Sequence, residues 1–238
     1  LGDVYKRQIF YLVMWIGTYL VLVTQDLTFW QVFLTWSLWG FSFAAGAVNI
    51  GHDAIHGAYS KNKFVNFLLS QTFNLNGASA YMWSQMHNVA HHTYTNLESH
   101  DEDLYSTPII RMTSDIELKP IHRFQHIYCF LLYPFATISW IFVKDYKKFF
   151  ANTVANYNNR QHPKSELIKL FVYKIIAYTV MIVIPFMVLM GNGFTFWQVL
   201  IPFLSAHFIA GFYLGVVFVL AHIVAVSYTH LTLPTKRI

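Results

Sequence analysis

Long apolar runs alternate with polar, histidine-bearing stretches along this chain, and the apolar runs come in pairs. Residues 9–25 (IFYLVMWIGTYLVLVTQ) and 29–50 (FWQVFLTWSLWGFSFAAGAVNI) are separated only by Asp26, Leu27 and Thr28. Each is near the roughly 20 residues a helix needs to cross a bilayer core, so the pair predicts a hairpin of two spans. Residues 170–190 and 196–224 repeat the arrangement around the tight turn GNGFT. Between the hairpins, residues 57–126 are polar, apart from a weakly apolar segment around Phe64 to Phe73.

The segment 127–143 (IYCFLLYPFATISWIFV) is short for a span and carries Pro134 in its interior. Charge decides how it lies. Lys61, Lys63, Arg111, Lys119 and Arg123 precede it and Lys144, Lys147, Lys148, Arg160, Lys164 and Lys169 follow it, while the two hairpin turns hold no Lys or Arg. A crossing here would put one basic stretch outside, against the positive-inside rule. The pattern therefore predicts an interfacial or half-inserted helix. The expected fold is all-α and integral to the membrane: four transmembrane helices as two hairpins, interfacial helices, and a histidine-bearing region on the cytoplasmic side. No internal repeat is evident. Gly211 and Gly215 form a GxxxG pair suited to close helix packing.

Composition agrees with this picture. The 238 residues are 55% hydrophobic and only 11% charged, far from the usual soluble balance. One cysteine, Cys129, excludes an internal disulfide framework and a Cys-rich zinc site, so a metal must rest on nitrogen or oxygen. Twelve histidines are present and five fall between His52 and His92. The formal charge of +5 points to lipid headgroups, not nucleic acid, as the anionic partner.

Both ends look foreign. Val226 to His230 can be encoded GTC TCT TAT ACA CAT, whose reverse complement lies within GAT GTG TAT AAG AGA CAG, one encoding of Asp3 to Gln8. The termini resemble translated adapter sequence, so residues 1–8 and 226–238 are expected to be non-native and 9–225 to be the domain. Setting aside Lys6, Arg7, Lys236, Arg237 and Asp3 lowers the formal charge from +5 to +2.

The chemistry lies in two motifs. In GHDAIHG, His52 and His56 are four apart and share one face of a helix, able to grip one metal from the same side. Alone, such a pair reads more readily as two polar residues at a helix end. The second motif, HNVAHHTYTN, adds His87 and His91 on a shared face, with His92 turned about 100° further round and able to reach a second ion. Five imidazoles at one membrane edge point to a dinuclear site. Asp53 could accept the second N–H of a ligand histidine and fix its tautomer.

GHDAIHGAYS, HNVAHHTYTNLESHDEDL and HRFQHIY resemble the histidine boxes and following segment of membrane fatty acid desaturases, most closely the acyl-lipid or linoleoyl-CoA type that includes front-end enzymes. The resemblance implies two iron ions held by three boxes, activation of O2, and a cis double bond introduced into a fatty acyl lipid or acyl-CoA. It further implies electrons from a reduced ferredoxin or cytochrome b5 type donor. Physical chemistry agrees, because breaking an unactivated methylene C–H bond needs an oxidant that no side chain supplies. Four spans leave room for an acyl tunnel between the hairpins.

The resemblance also assigns a metal role to His222 in VFVLAHIV, which two further spans return to the side of the boxes. Asp101 and Asp103 are expected to support ligand histidines from behind, and His100 to be solvated or similarly placed. His122 and His126 read as parts of an interfacial helix, His207 as a packed polar residue, and His162 as an ordinary loop residue. The family places a third box, HxxHH or QxxHH, after the last span, where this sequence turns adapter-like; the fragment alone is expected to be inactive. A membrane di-iron hydroxylase on the same scaffold is the nearest alternative. A histidine-rich metal transporter is a more distant one, since it predicts ligands at mid-membrane depth.

Overall fold

A computed structural model describes residues 2–93, 101, 109–112, 116–154, 157–158 and 161–222. Eight helices account for most of them: α1 (Gly2–Thr24), α2 (Phe29–Ile55), α3 (Lys63–Leu75), α4 (80–91), α5 (Pro120–Leu132), α6 (Phe135–Phe149), α7 (Lys164–Gly191) and α8 (Phe196–His222). The described strand content is one antiparallel pairing, Thr153–Val154 with Tyr157–Asn158. Four of the helices are long and apolar enough to cross a membrane, within Lys6–Thr24, Phe29–Ile55, Lys164–Gly191 and Phe196–Phe218. The fold is thus the expected all-α membrane architecture of two hairpins. Its boundaries differ from the apolar runs: α2 carries on past residue 50 to Ile55, and α7 begins at Lys164 rather than 170. Backbone hydrogen bonding continues through polar residues once a helix is under way, so polarity alone marks its end poorly.

The two hairpins are built alike. Thr-Phe-Trp-Gln-Val occurs at 28–32 and again at 195–199, and each copy opens the second helix of its hairpin. In both, the Gln side chain reaches back to the Thr backbone N–H, Gln31 Oε1 at 2.8 Å from Thr28 N and Gln198 Oε1 at 2.9 Å from Thr195 N. That satisfies one of the amide donors a helix start leaves unpaired. Val32 and Val199 are fully buried while Trp30 and Trp197 are exposed, as interfacial tryptophans are. The sequence pattern alone showed no repeat because five residues carry no periodic signal; the matching caps reveal it.

From these caps α2 and α8 run side by side in the same direction. Trp36 meets Phe203, Ser37 Oγ lies 3.0 Å from Ser205 Oγ, and Phe41 meets Tyr213. Gly40 makes the seam possible, because a Cβ there would collide with the Ala206 backbone. The remaining spans enclose this pair only in part: α1 leaves Ile9, Phe10, Val13, Ile16 and Leu20 exposed, the surface a lipid tail would cover.

Segment 127–143 is not one helix. Pro134 cannot donate to the helical ladder, and α5 and α6 meet there at 76°. The elbow packs into α8. A Cβ on Gly211 would lie 2.6 Å from Pro134 O, and one on Gly215 2.7 Å from Tyr133 Cβ. The GxxxG pair does serve close packing, Gly211 against the elbow's backbone and Gly215 against the Tyr133 side chain, instead of a straight helix.

Candidate metal centre

The first histidine pair is delivered by α2 as it leaves the apolar run. Residues Ala47–His52 wind as a π-helix and Asp53–Ile55 return to α geometry, a local irregularity frequent at functional sites. His56 N bonds His52 O at 3.1 Å, and the two rings meet edge to face with centroids 4.5 Å apart. The helix then stops at once. Gly57 takes φ 71, and Ala58 N and Gly57 N close onto Asp53 O and Ala54 O, the paired bonds of a glycine C-terminal cap.

The second group comes from α4, where Ser79 caps the start by accepting from Met82 N and residues Gln85–His91 are again π-helical. This winding corrects the expected facing. An α-helix would set His92 apart from His87, but in the π-turn His92 N bonds His87 O at 2.9 Å and the two Nε2 atoms face each other at 3.2 Å. His91 stacks nearly parallel on His87, centroids 5.0 Å apart.

The two groups converge. Ligand atoms of His52, His56 and His87 lie within 4.8 Å of one another, close enough to hold one metal ion. His92 joins them, 4.8 Å from His56 and 4.7 Å from His87 by ring centroid. The donor set fits a metal on a second ground: His56 Nε2 is buried without a hydrogen-bond partner among the described residues, an arrangement polar atoms seldom keep without a ligand. Burial first, then the neighbouring His52, His87 and His92, lower the His56 pKa to about 4, against the opposing effect of Asp53. The ring is therefore neutral near pH 7, with a lone pair to donate.

Carboxylates stand behind two of the rings. Asp101 places its oxygens 2.9 and 2.8 Å from His91 Nδ1, and both side chains are buried. Asp53 Oδ1 lies 3.2 Å from His52 Nδ1, with 43% of its side chain exposed. Each contact leaves the other ring nitrogen for a ligand. Asp103 and His100 lie outside the described residues. His222 ends α8, but its side chain is likewise outside what is described.

Other histidines are elsewhere. Buried His122 accepts from Lys119 N in a tight turn, His126 is exposed, and buried His207 meets Thr137 Oγ1 at 3.2 Å. His162 is not an ordinary loop residue: it lies 3.0 Å from Tyr81 OH and packs on Phe149. Sequence reasoning also passed over Trp83, whose indole stacks on His87 at 4.2 Å and touches His52 and His56. The available signal was an aromatic residue one helical turn before a ligand candidate.

A membrane helical fold with clustered imidazoles at the end of one span defines a class of metal-binding membrane protein. The profile of the fatty acid desaturase family matches residues 28–237, and the chain belongs to that family. It is 31% identical over 198 residues to an sn-1 linoleoyl-lipid 6-desaturase of Arthrospira platensis, covering 82% of this chain and 52% of that one. It is 30% identical over 203 residues to an acyl-lipid (8-3)-desaturase of Physcomitrium patens, covering 82% of this chain and 42% of that one. The chain spans about half the length of the curated relatives it matches. No solved structure matches it.

Proposed function

We propose that this protein is the metal-bearing part of an O2-dependent desaturase that introduces a cis double bond into a fatty acyl chain. The observation that carries this is the convergence of four imidazoles from two segments on one point, in a chain of the desaturase family. His52, His56, His87, His91 and His92 would hold two iron ions, with His222 as a further ligand. Bound there, iron would supply the oxidising power that a methylene C–H bond demands. The chain's own part is to present neutral ring nitrogens and to fix their tautomers through Asp53 and Asp101, with Asp103 in a similar supporting role.

An apolar void lies close to the histidine cluster. A small cavity of about 30 Å³ lies between α2, α6 and α8, lined by Phe43, Ala47, Phe73, Trp140, Leu214 and others. Phe73 packs on Trp83, which stacks on His87, so this space is two rings from the metal site. It sits beyond the tight Gly40–Ala206 seam, which closes the interval between α2 and α8 lower down. The relatives named as linoleoyl-lipid and acyl-lipid desaturases support a lipid-linked acyl chain over acyl-CoA. Electrons would come from a reduced ferredoxin or cytochrome b5 type donor. The basic residues on both sides of 127–143 support a cytoplasmic setting for the site.

The test is expression of the full-length protein in a host supplied with defined lipids, followed by chromatography of the fatty acids and iron analysis. A new olefin that depends on O2 and His87 is expected. An alcohol instead would identify a hydroxylase, and metal flux without O2 consumption a transporter.

A further inference from the structure

Lys174 interrupts the apolar run FVYKIIAY about one turn inside the basic end of α7, yet it is buried. A charge at that depth is costly and calls for a partner and a purpose. The partner is Asp145, also fully buried, at 2.8 Å. Lys174 Nζ donates in addition to Gly77 O at 2.6 Å and Ile141 O at 2.7 Å, so all three ammonium hydrogens are used. Asp145 accepts from Ser79 N at 2.7 Å and from Trp140 Nε1 at 3.1 Å. The pair thus binds α7 and α6 to residues 77–79, the link between α3 and α4.

Two contiguous routes lead from this pair to the histidines. Ser79 is the cap of α4, whose next turns carry His87, His91 and His92, and a carboxylate at that end also complements the helix dipole. The second route is a run of packed rings: Trp140 on Phe73 (5.9 Å), Phe73 on Trp83 (5.2 Å), Trp83 on His87 (4.2 Å). Phe73 also fills the space above Gly51, beside His52, where a Cβ would come 2.5 Å from its ring. One network therefore touches the supports of both histidine groups.

We propose that Asp145 and Lys174 are positioning residues for the metal centre, a buried ion pair that fixes where α4 begins and so where His87 lies against His52 and His56. This rests on the metal-bearing reading above. An isolated buried pair contributes little net stability; its value here is in orienting the three segments that surround it.

The test uses the full-length protein in detergent, titrated with Co2+ as a spectroscopic stand-in for iron, alongside iron-dependent turnover. The double variant Asp145→Asn/Lys174→Gln removes both charges while leaving hydrogen-bonding groups. Trp140→Phe removes the indole donor to Asp145 while keeping an aromatic ring against Phe73. Both should keep wild-type chromatographic behaviour, raise the Co2+ dissociation constant at least fivefold in the double variant, and shift the cobalt d–d bands in both. In the double variant turnover should fall through kcat with KM unchanged. Should the double variant not fold, Trp140→Phe alone decides. Variants that fold and reproduce the wild-type affinity and spectrum overturn the proposal. Wild-type protein that takes up no Co2+ overturns the metal reading as well, so the two failures are told apart.

Discussion

The two histidine segments reach one site by different means. His52 and His56 ride on the end of a membrane span and are partly exposed, while His87 and His91 sit on a short helix and are buried, each 2% exposed. The first pair inherits its position from α2, which is fixed along its length by α1 and α8. The second group is held by the α4 cap, the packing of Met82 and Met86 on Phe149 and Leu170, the ring stack through Trp83 and the carboxylate of Asp101. Precision that a long helix supplies along its whole length is supplied to short α4 by a small apolar cluster together with polar contacts, and the polar contacts are the more exposed to disruption by single substitutions.

The largest effect should follow from His87→Ala. His87 is the ring that all the others touch, so activity is expected to fall to background and bound metal per chain to drop sharply, as elemental analysis would read. Asp101→Asn comes next. It takes the charge from behind His91 in a buried setting, and metal affinity or turnover should fall about 10–100-fold. Asp53→Asn sharpens the contrast between segments: its carboxylate is 3.2 Å from His52 and partly in water, so a loss under about fivefold is expected. An Asp53 variant as damaged as the Asp101 variant would break the comparison. The smallest change should be Gly57→Ala, which forces a side chain into positive φ at a cost of about 1–2 kcal/mol; thermal unfolding in detergent should shift by a few degrees with the metal spectrum retained.

Much of this was legible in the residues. Spans, turns and the five box histidines announce themselves because lipid admits only long apolar helices and because imidazole clusters are rare. The facing of His92 was not legible, since a π-turn is set by tertiary packing and carries no distinctive periodicity. Nor was the elbow's partner: Pro134 predicts a break, but that Gly211 and Gly215 receive it depends on how α8 lies. Lys174 and Asp145 are far apart in sequence and individually unremarked; only folding shows that each is the other's counter-charge. The twin Thr-Phe-Trp-Gln-Val caps were in plain view, and it took two superimposable hydrogen bonds to give them meaning.

Those caps set a starting line. From Thr28 to His52 the helical rise amounts to about 36 Å at roughly 1.5 Å per residue, against a hydrocarbon core of about 30 Å. The first histidine therefore emerges just past the far edge of the oil, and α8, started from an equivalent cap, runs about 40 Å to His222. Depth is measured out by residue count, so a thicker bilayer would draw the histidines toward lipid and a thinner one would strand them in water. Membrane thickness would then be a variable that sets the hydration of the histidine cluster.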